Sequence, residues 1–245
     1  MIVSSDYVNI PSGGSSMRTF MARPGVPGNW PGILFYSDIF QLTDTMLRSC
    51  VRLAGHGFVV AAPEIYHRRE PQGAVFPFDD EGRSRGMADA VATAVADFDV
   101  DAGSALEHLA RDPAVDAGRL GAAGFCIGGH LAFRAALRPQ VKATVCFYPT
   151  GVHDGKLGSD DDAGSLEKAG DIAGRLLLVW GSEDPHIPPP ARARIESGLK
   201  VAGVRFEQRM YPAEHAFMRD FGPRFDPECT DLAFAEMVRF FRATF

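Results

Sequence analysis

Five near-continuous apolar runs, separated by segments of helical periodicity, constrain this chain more than any other feature. They are Gly32–Tyr36, Phe58–Ala62, Leu120–Phe125, Ala143–Tyr148 and Leu176–Trp180. A sixth run, Arg205–Tyr211, alternates apolar and polar residues and suits a strand nearer an edge. Between them lie helical patterns at Leu47–Leu53, Met87–Ala110 and Gly128–Arg138, the last followed by Pro139. A final helix places Phe234, Met237, Val238, Phe241 and Phe245 on one stripe. A strand that is apolar at every position is buried on both faces. Such strands alternating with helices predict an α/β fold with a mostly parallel central sheet and helices on both faces.

Two segments read as surface loops: Glu70–Arg85, carrying Pro, Gly and charge, and Gly151–Gly170, rich in Asp and Gly. No linker or internal repeat interrupts the pattern, so a single domain over residues 1–245 is expected. The formal net charge is −6, with no Lys/Arg-rich run, which gives no electrostatic reason to bind nucleic acid. No apolar stretch approaches the roughly 18 residues that a membrane span needs. The first residues, MIVSSDYVNI, lack the basic and apolar regions of a secretory signal, so a cytoplasmic location is expected by default.

The four cysteines, Cys50, Cys126, Cys146 and Cys229, are widely spaced and resemble neither a zinc site nor a disulfide scaffold. Cys50 and Cys146 read as buried reduced thiols, and Cys229 as an idle surface or helix-start thiol. Cys126 differs. It lies in Gly124-Phe125-Cys126-Ile127-Gly128-Gly129, between a predicted strand and a predicted helix. G-x-S-x-G in that setting is a nucleophile elbow, and here cysteine replaces serine. The helix that starts at the turn aims its N–H groups and dipole at the sulfur, which favours a thiolate and a developing oxyanion.

Elbow enzymes order their partners as nucleophile, acid, histidine. After LLLVW comes Gly181-Ser182-Glu183-Asp184-Pro185-His186, and after the next strand Tyr211-Pro212-Ala213-Glu214-His215. Both segments follow strand ends, where the sites of open α/β sheets lie. Cys126, Asp184 and His215 therefore fit the order, with Glu183 as a competing acid. His186 reads as an ordinary loop residue and His130 as a helix-start histidine. His56, His67, His108 and His153 read as surface or capping residues.

The three motifs GFCIGG, GSEDPHIP and YPAEHAF resemble those of the dienelactone hydrolase family (carboxymethylenebutenolidase-like enzymes). The resemblance runs from about residue 20 to 245. It includes Ser37-Asp38-Ile39-Phe40 after GILFY, and the run FVVAAPEIY. It implies an α/β-hydrolase with Cys126 as nucleophile, His215 as base and Asp184 as the group that orients the base. It also implies an oxyanion hole from the backbone N–H groups of Ile39 and Ile127, and no metal or cofactor. The implied substrate is a small ester or enol lactone bearing a carboxylate. Arg219 matches one of the family's two carboxylate-binding arginines; the other falls at Arg83 or Arg85, with Arg83 preferred. Tyr148 is placed among the substrate contacts, although FYPTG departs from the family pattern. Asp38 stands where the family commonly has a glutamate that contacts the thiol. As thiol activator it is one methylene shorter, which leaves more of the activation to His215.

Two other functional classes compete. One is a redox protein in which Cys126 is the reactive thiol, weakened by the lack of a nearby resolving cysteine. The other is a non-catalytic binding protein on the same scaffold, weakened by the intact triad set. A monomer or small homo-oligomer is expected.

Overall fold

The computed structural model describes residues 1–245. Eight strands form one sheet: β1 (Val3–Ser12), β2 (Ser15–Pro24), β3 (Trp30–Tyr36), β4 (Val59–Pro63), β5 (Val115–Phe125), β6 (Val141–Phe147), β7 (Arg175–Gly181) and β8 (Arg205–Tyr211). Six helices accompany them: α1 (Asp44–Gly55), α2 (Asp80–Ala92), α3 (Val95–Arg111), α4 (Ile127–Ala135), α5 (Pro189–Val201) and α6 (Pro227–Thr244). The strand order is β1-β2-β4-β3-β5-β6-β7-β8. Every neighbouring pair from β4 through β8 is parallel, while β2 is antiparallel to both β1 and β4.

The order reverses at β3. Its partner β4 lies on one side, and β5 on the other. Loops leaving neighbouring strands at such a switch point diverge, and a crevice opens between them at the carboxyl ends. The segment after β3 and the turn after β5 both start there. Buried strands supply the frame: Ile33, Leu34, Phe35, Val59, Val60, Ala122, Val145, Leu177 and Leu178 are fully sequestered. β8, at the edge, is only partly covered, as its alternating sequence predicts.

Several boundaries differ from the sequence reading. The hairpin β1–β2 carries polar residues along its exposed strand and escaped the search for apolar runs. The helical pattern Met87–Ala110 is two helices, broken where Thr93 and Ala94 turn extended. Glu70–Arg85 is not all loop. Asp79 accepts a hydrogen bond from Gly82 N–H at 2.8 Å and starts α2, so Arg83 and Arg85 lie on a helix. The elbow helix stops at Ala135 rather than Arg138. The segment 151–170 has no regular structure except a short 3-10 turn that begins at Ala169. Cys229, read as a surface or helix-start thiol, stands at the start of α6 but is buried, and burial pushes its thiol up to about 11. Cys50 and Cys146 are buried and unpaired.

His67, read as surface or capping, sits in a buried polar network. Its Nδ1 lies 3.0 Å from Ser15 Oγ and its Nε2 3.0 Å from Asp101 Oδ2. Asp101 also accepts from Ser12 Oγ at 2.5 Å and Arg68 Nη1 at 2.5 Å. The cluster fastens the β1–β2 hairpin to α3. Burial opposes the Asp101 charge, but the hydrogen bonds from His67, Arg68 and Ser12 outweigh it and hold the carboxyl below its usual range. A carboxylate depressed in this way adds stability above its unfolded pKa, and the gain fades as pH falls through the folded value. Asp101→Asn is expected to lower stability by about 3 kcal/mol at neutral pH in urea denaturation. The gap between variant and wild type should close in strong acid; a gap independent of pH would contradict this assignment.

Candidate active site

The elbow is built from a backbone that only close packing sustains. Cys126 has φ 59° and ψ −120°, a conformation that non-glycine residues avoid. Its N–H donates to Phe147 O at 3.1 Å, and its own carbonyl accepts from Gly129 N–H at 3.0 Å and Thr150 N–H at 3.3 Å. On the other side, a Cβ on Gly128 would collide with the Ser37 carbonyl oxygen. The turn is therefore wedged between the end of β6 and the segment after β3. Three more non-glycine residues with positive φ surround it: Gln41, Tyr148 and Ala216.

The loops after β7 and β8 are stitched together. Ser182 N–H donates to Tyr211 O at 2.7 Å and Glu183 N–H to Ala213 O at 3.1 Å. This places His215 Nδ1 2.7 Å from Asp184 Oδ2, both groups buried. The other Asp184 oxygen accepts from His186 N–H at 2.8 Å. Glu183, the competing acid, is exposed. Burial works against charge on His215, but the Cys126 sulfur and then Asp184 more than offset it and raise the imidazole to about 9. Burial likewise opposes the Asp184 charge, and the His215 contact overrides it, holding the carboxyl low.

Cys126, His215 and Asp184 are thus brought together. Between β3 and α1, Ile39 N–H makes no turn or cap hydrogen bond, and neither does Ile127 N–H at the start of α4. Both are free to donate. A Cβ on Gly86 would collide with the Ile39 carbonyl oxygen, so α2 lies directly on this loop. Tyr148 is buried with its ring edge-on to His215 at a centroid distance of 4.9 Å, where it forms a wall of the site.

Asp38 is occupied elsewhere than on the thiol. One carboxylate oxygen accepts from Phe40 N–H at 3.0 Å and the other from Arg219 Nη2 at 2.7 Å, and no hydrogen bond joins it to Cys126. Arg219 is clamped between Phe40 and Phe78, with its guanidinium 4.7 and 4.3 Å from the ring centroids. The cavity beside this pair, lined by Met46, Phe125 and Tyr148 among others, holds only about 10 Å³. That is about the smallest space that admits one water. Arg83 is exposed and unpaired on α2, whereas Arg85 is bound to Glu70 and lies over Phe76. Only Arg83 of the two is free to meet a ligand.

Sequence reasoning missed three neighbours. Thr150 Oγ1 lies 3.9 Å from Cys126 Sγ. His130, wholly buried, donates from Nδ1 to Thr150 O at 2.9 Å and accepts from Ser165 Oγ at 2.7 Å at its Nε2. Burial drives its pKa down to about 3, so it is a neutral strut rather than a second base. Tyr66 is buried with its hydroxyl unpaired, and burial, then the Cys126 and Asp38 charges, raise it well above the usual range. An apolar run can announce a strand, but only the closed fold shows what its end touches. No group of three or more His, Cys, Asp or Glu side chains has the geometry to hold a metal ion. A cleft of about 590 Å³ is lined by residues of α1 and α6 such as Arg52, Phe234 and Arg242, and contains none of the three triad candidates.

A parallel sheet with this elbow, acid and histidine at its carboxyl edge defines an α/β-hydrolase. Within that class the chain belongs to the Dienelactone hydrolase family, which matches residues 17–245. It is 33% identical over 229 residues to a Saccharomyces cerevisiae protein named "Putative carboxymethylenebutenolidase", covering 90% of this chain and 84% of that one. An Escherichia coli K12 protein of the same name is 30% identical over 250 residues, with 98% and 87% covered. A Klebsiella pneumoniae crystal structure titled "Putative Dienelactone Hydrolase" superposes with a TM-score of 0.87 at 26% identity over 99% of both chains. The protein is accordingly a hydrolase of this family. No helix is long and apolar enough to cross a membrane.

A folded pKa raised to about 9 keeps His215 protonated below that pH. If His215 gives that proton to a leaving group, kcat/KM for ester cleavage should fall as pH rises through about 9. Asp184→Asn removes one of the groups that raise His215 and should move this alkaline limb down by about one pH unit or more. An unmoved limb in the pH–rate profile would show that His215 does not set it.

Proposed function

We propose that the protein hydrolyses a small ester or enol lactone, bearing a carboxylate, through a Cys126 thioester. The observation that carries the reading is the chain from Asp184 to His215 to the sulfur of a strained elbow residue. The thiolate adds to the carbonyl carbon and forms a C–S bond. Ile39 and Ile127 N–H groups receive the oxyanion. The C–O bond then breaks, and the leaving oxygen takes the proton from His215. Water next gives a proton to the neutral His215 and adds its oxygen to the thioester carbonyl. The C–S bond breaks, the acid product departs, and the thiolate–imidazolium pair is restored.

A thiolate is itself a good leaving group, so the route favours esters whose leaving oxygen is stabilised, such as enol lactones. The bond between Asp38 and Arg219 leaves His215 as the charged partner of Cys126. Turnover of an unsaturated dienelactone by the wild type is expected, with a loss of about 10⁴-fold or more in Cys126→Ala. Cleavage of a simple activated ester but not of the dienelactone would retain the mechanism and reject the lactone. Equal activity of Cys126→Ala would reject the nucleophile.

A further inference from the structure

In ester cleavage at this triad the leaving oxygen must come within reach of the His215 proton. A side chain beside the His215 ring is therefore a candidate neighbour of the leaving group. Two aromatic rings meet it: Tyr148, a buried wall of the site, and His186, which is open to solvent and meets the His215 ring edge to face with centroids 4.8 Å apart. The backbone N–H of His186 is fixed to Asp184, and the residue lies in a stretch with proline at 185, 188, 189 and 190, which holds the loop stiff. Its side chain is exposed and makes no hydrogen bond within the protein. It is positioned by the triad but not used by it.

Charges of both signs lie nearby, the carboxylates of Asp184 and Glu214 being held by His215 and Arg224. Arg83 and Arg224 both act on the His186 imidazole, and Arg83 has no counter-ion. Arg224 is shared with Glu214 at 3.3 Å, the residue next to His215. Partial burial and the His215 charge, helped by these guanidiniums and opposed by Asp184, hold His186 below its ordinary value, so at neutral pH it is a neutral hydrogen-bond donor. Arg219, by contrast, is neutralised by Asp38, enclosed by two phenylalanines and served by almost no free volume. The open cationic ground of the site is on the His215 side.

We propose that His186, set against the His215 ring with the unpaired Arg83 in the same neighbourhood, is a specificity-determining residue that recognises an anionic group on the leaving-group portion of the ester. This assignment rests on the hydrolytic function proposed above and adds where the substrate carries its charge.

Three acyl esters separate the cases. 3-Acetoxybenzoate has its carboxylate on the leaving phenol, monophenyl succinate has it on the acyl side, and phenyl acetate has none. Wild-type kcat/KM should be highest for 3-acetoxybenzoate. His186→Phe keeps the ring packing against His215 and should lower that value about tenfold, while leaving phenyl acetate unchanged. His186→Gln, which restores a donor, should recover most of the loss. An equal fall for all three esters would assign His186 to packing alone and overturn the proposal. So would an unchanged preference in His186→Phe, or a wild-type preference for monophenyl succinate. Cys126→Ala run alongside separates the two readings. If it still cleaves phenyl acetate at the wild-type rate, the Cys126 mechanism on which the proposal rests falls; if it is inactive, any failure belongs to His186.

Discussion

The strained turn at Cys126 is the constraint on which the site depends. Its backbone is unfavourable by about 1–3 kcal/mol for a residue with a side chain, and persists only because its surroundings leave no alternative. Phe147 at the end of β6 and Thr150 just beyond it bind it, and Gly128 rests against the carbonyl of Ser37, just after β3. Strand order makes this possible. The chain reverses direction across the sheet between β3 and β5, so the two segments that must meet emerge side by side. The sulfur is thereby raised out of the sheet, with an unbonded N–H on either flank and an imidazole alongside.

Electrostatics at the centre divides into two closed accounts. Asp184 holds His215, and His215 faces the sulfur. Asp38 holds Arg219. The second pair is kept from water by Phe40 and Phe78 and does not touch the first through any hydrogen bond. Removing either partner would leave a poorly solvated charge, a costly outcome compared with an exposed pair. The resemblance to the family points to Asp38 as the thiol's activator and Arg219 as a free carboxylate receptor; in this structure each is the other's partner.

Much of the fold was legible because burial on both faces leaves a simple mark: LLLVW and ATVCFY can hardly be anything but central strands. The candidate triad was legible where chemistry imposes an order along the chain, and the fold brings Cys126, Asp184 and His215 together. Features with weaker marks were lost. β1 is an exposed edge strand with the sequence VSSDYVNIPS, and it lacks an apolar face. The break between α2 and α3 falls in an alanine-rich stretch with no proline or glycine to announce it. The start of α2 was hidden by Gly82 and Gly86, poor helix formers, although close packing against Pro77 and Ile39 requires them. His67, His130 and Tyr66 have roles set by partners far away in sequence, which no local pattern encodes.

The central claim is a covalent acyl group on one sulfur. Rapid acid quenching during turnover of an activated ester, followed by mass spectrometry of the intact chain and its peptides, tests it directly. The account predicts an adduct of the acyl mass on the peptide containing Cys126, labile to hydroxylamine as a thioester is, and absent from Cys126→Ala. Turnover with the acyl group on another residue would contradict it, as would undiminished turnover by Cys126→Ala.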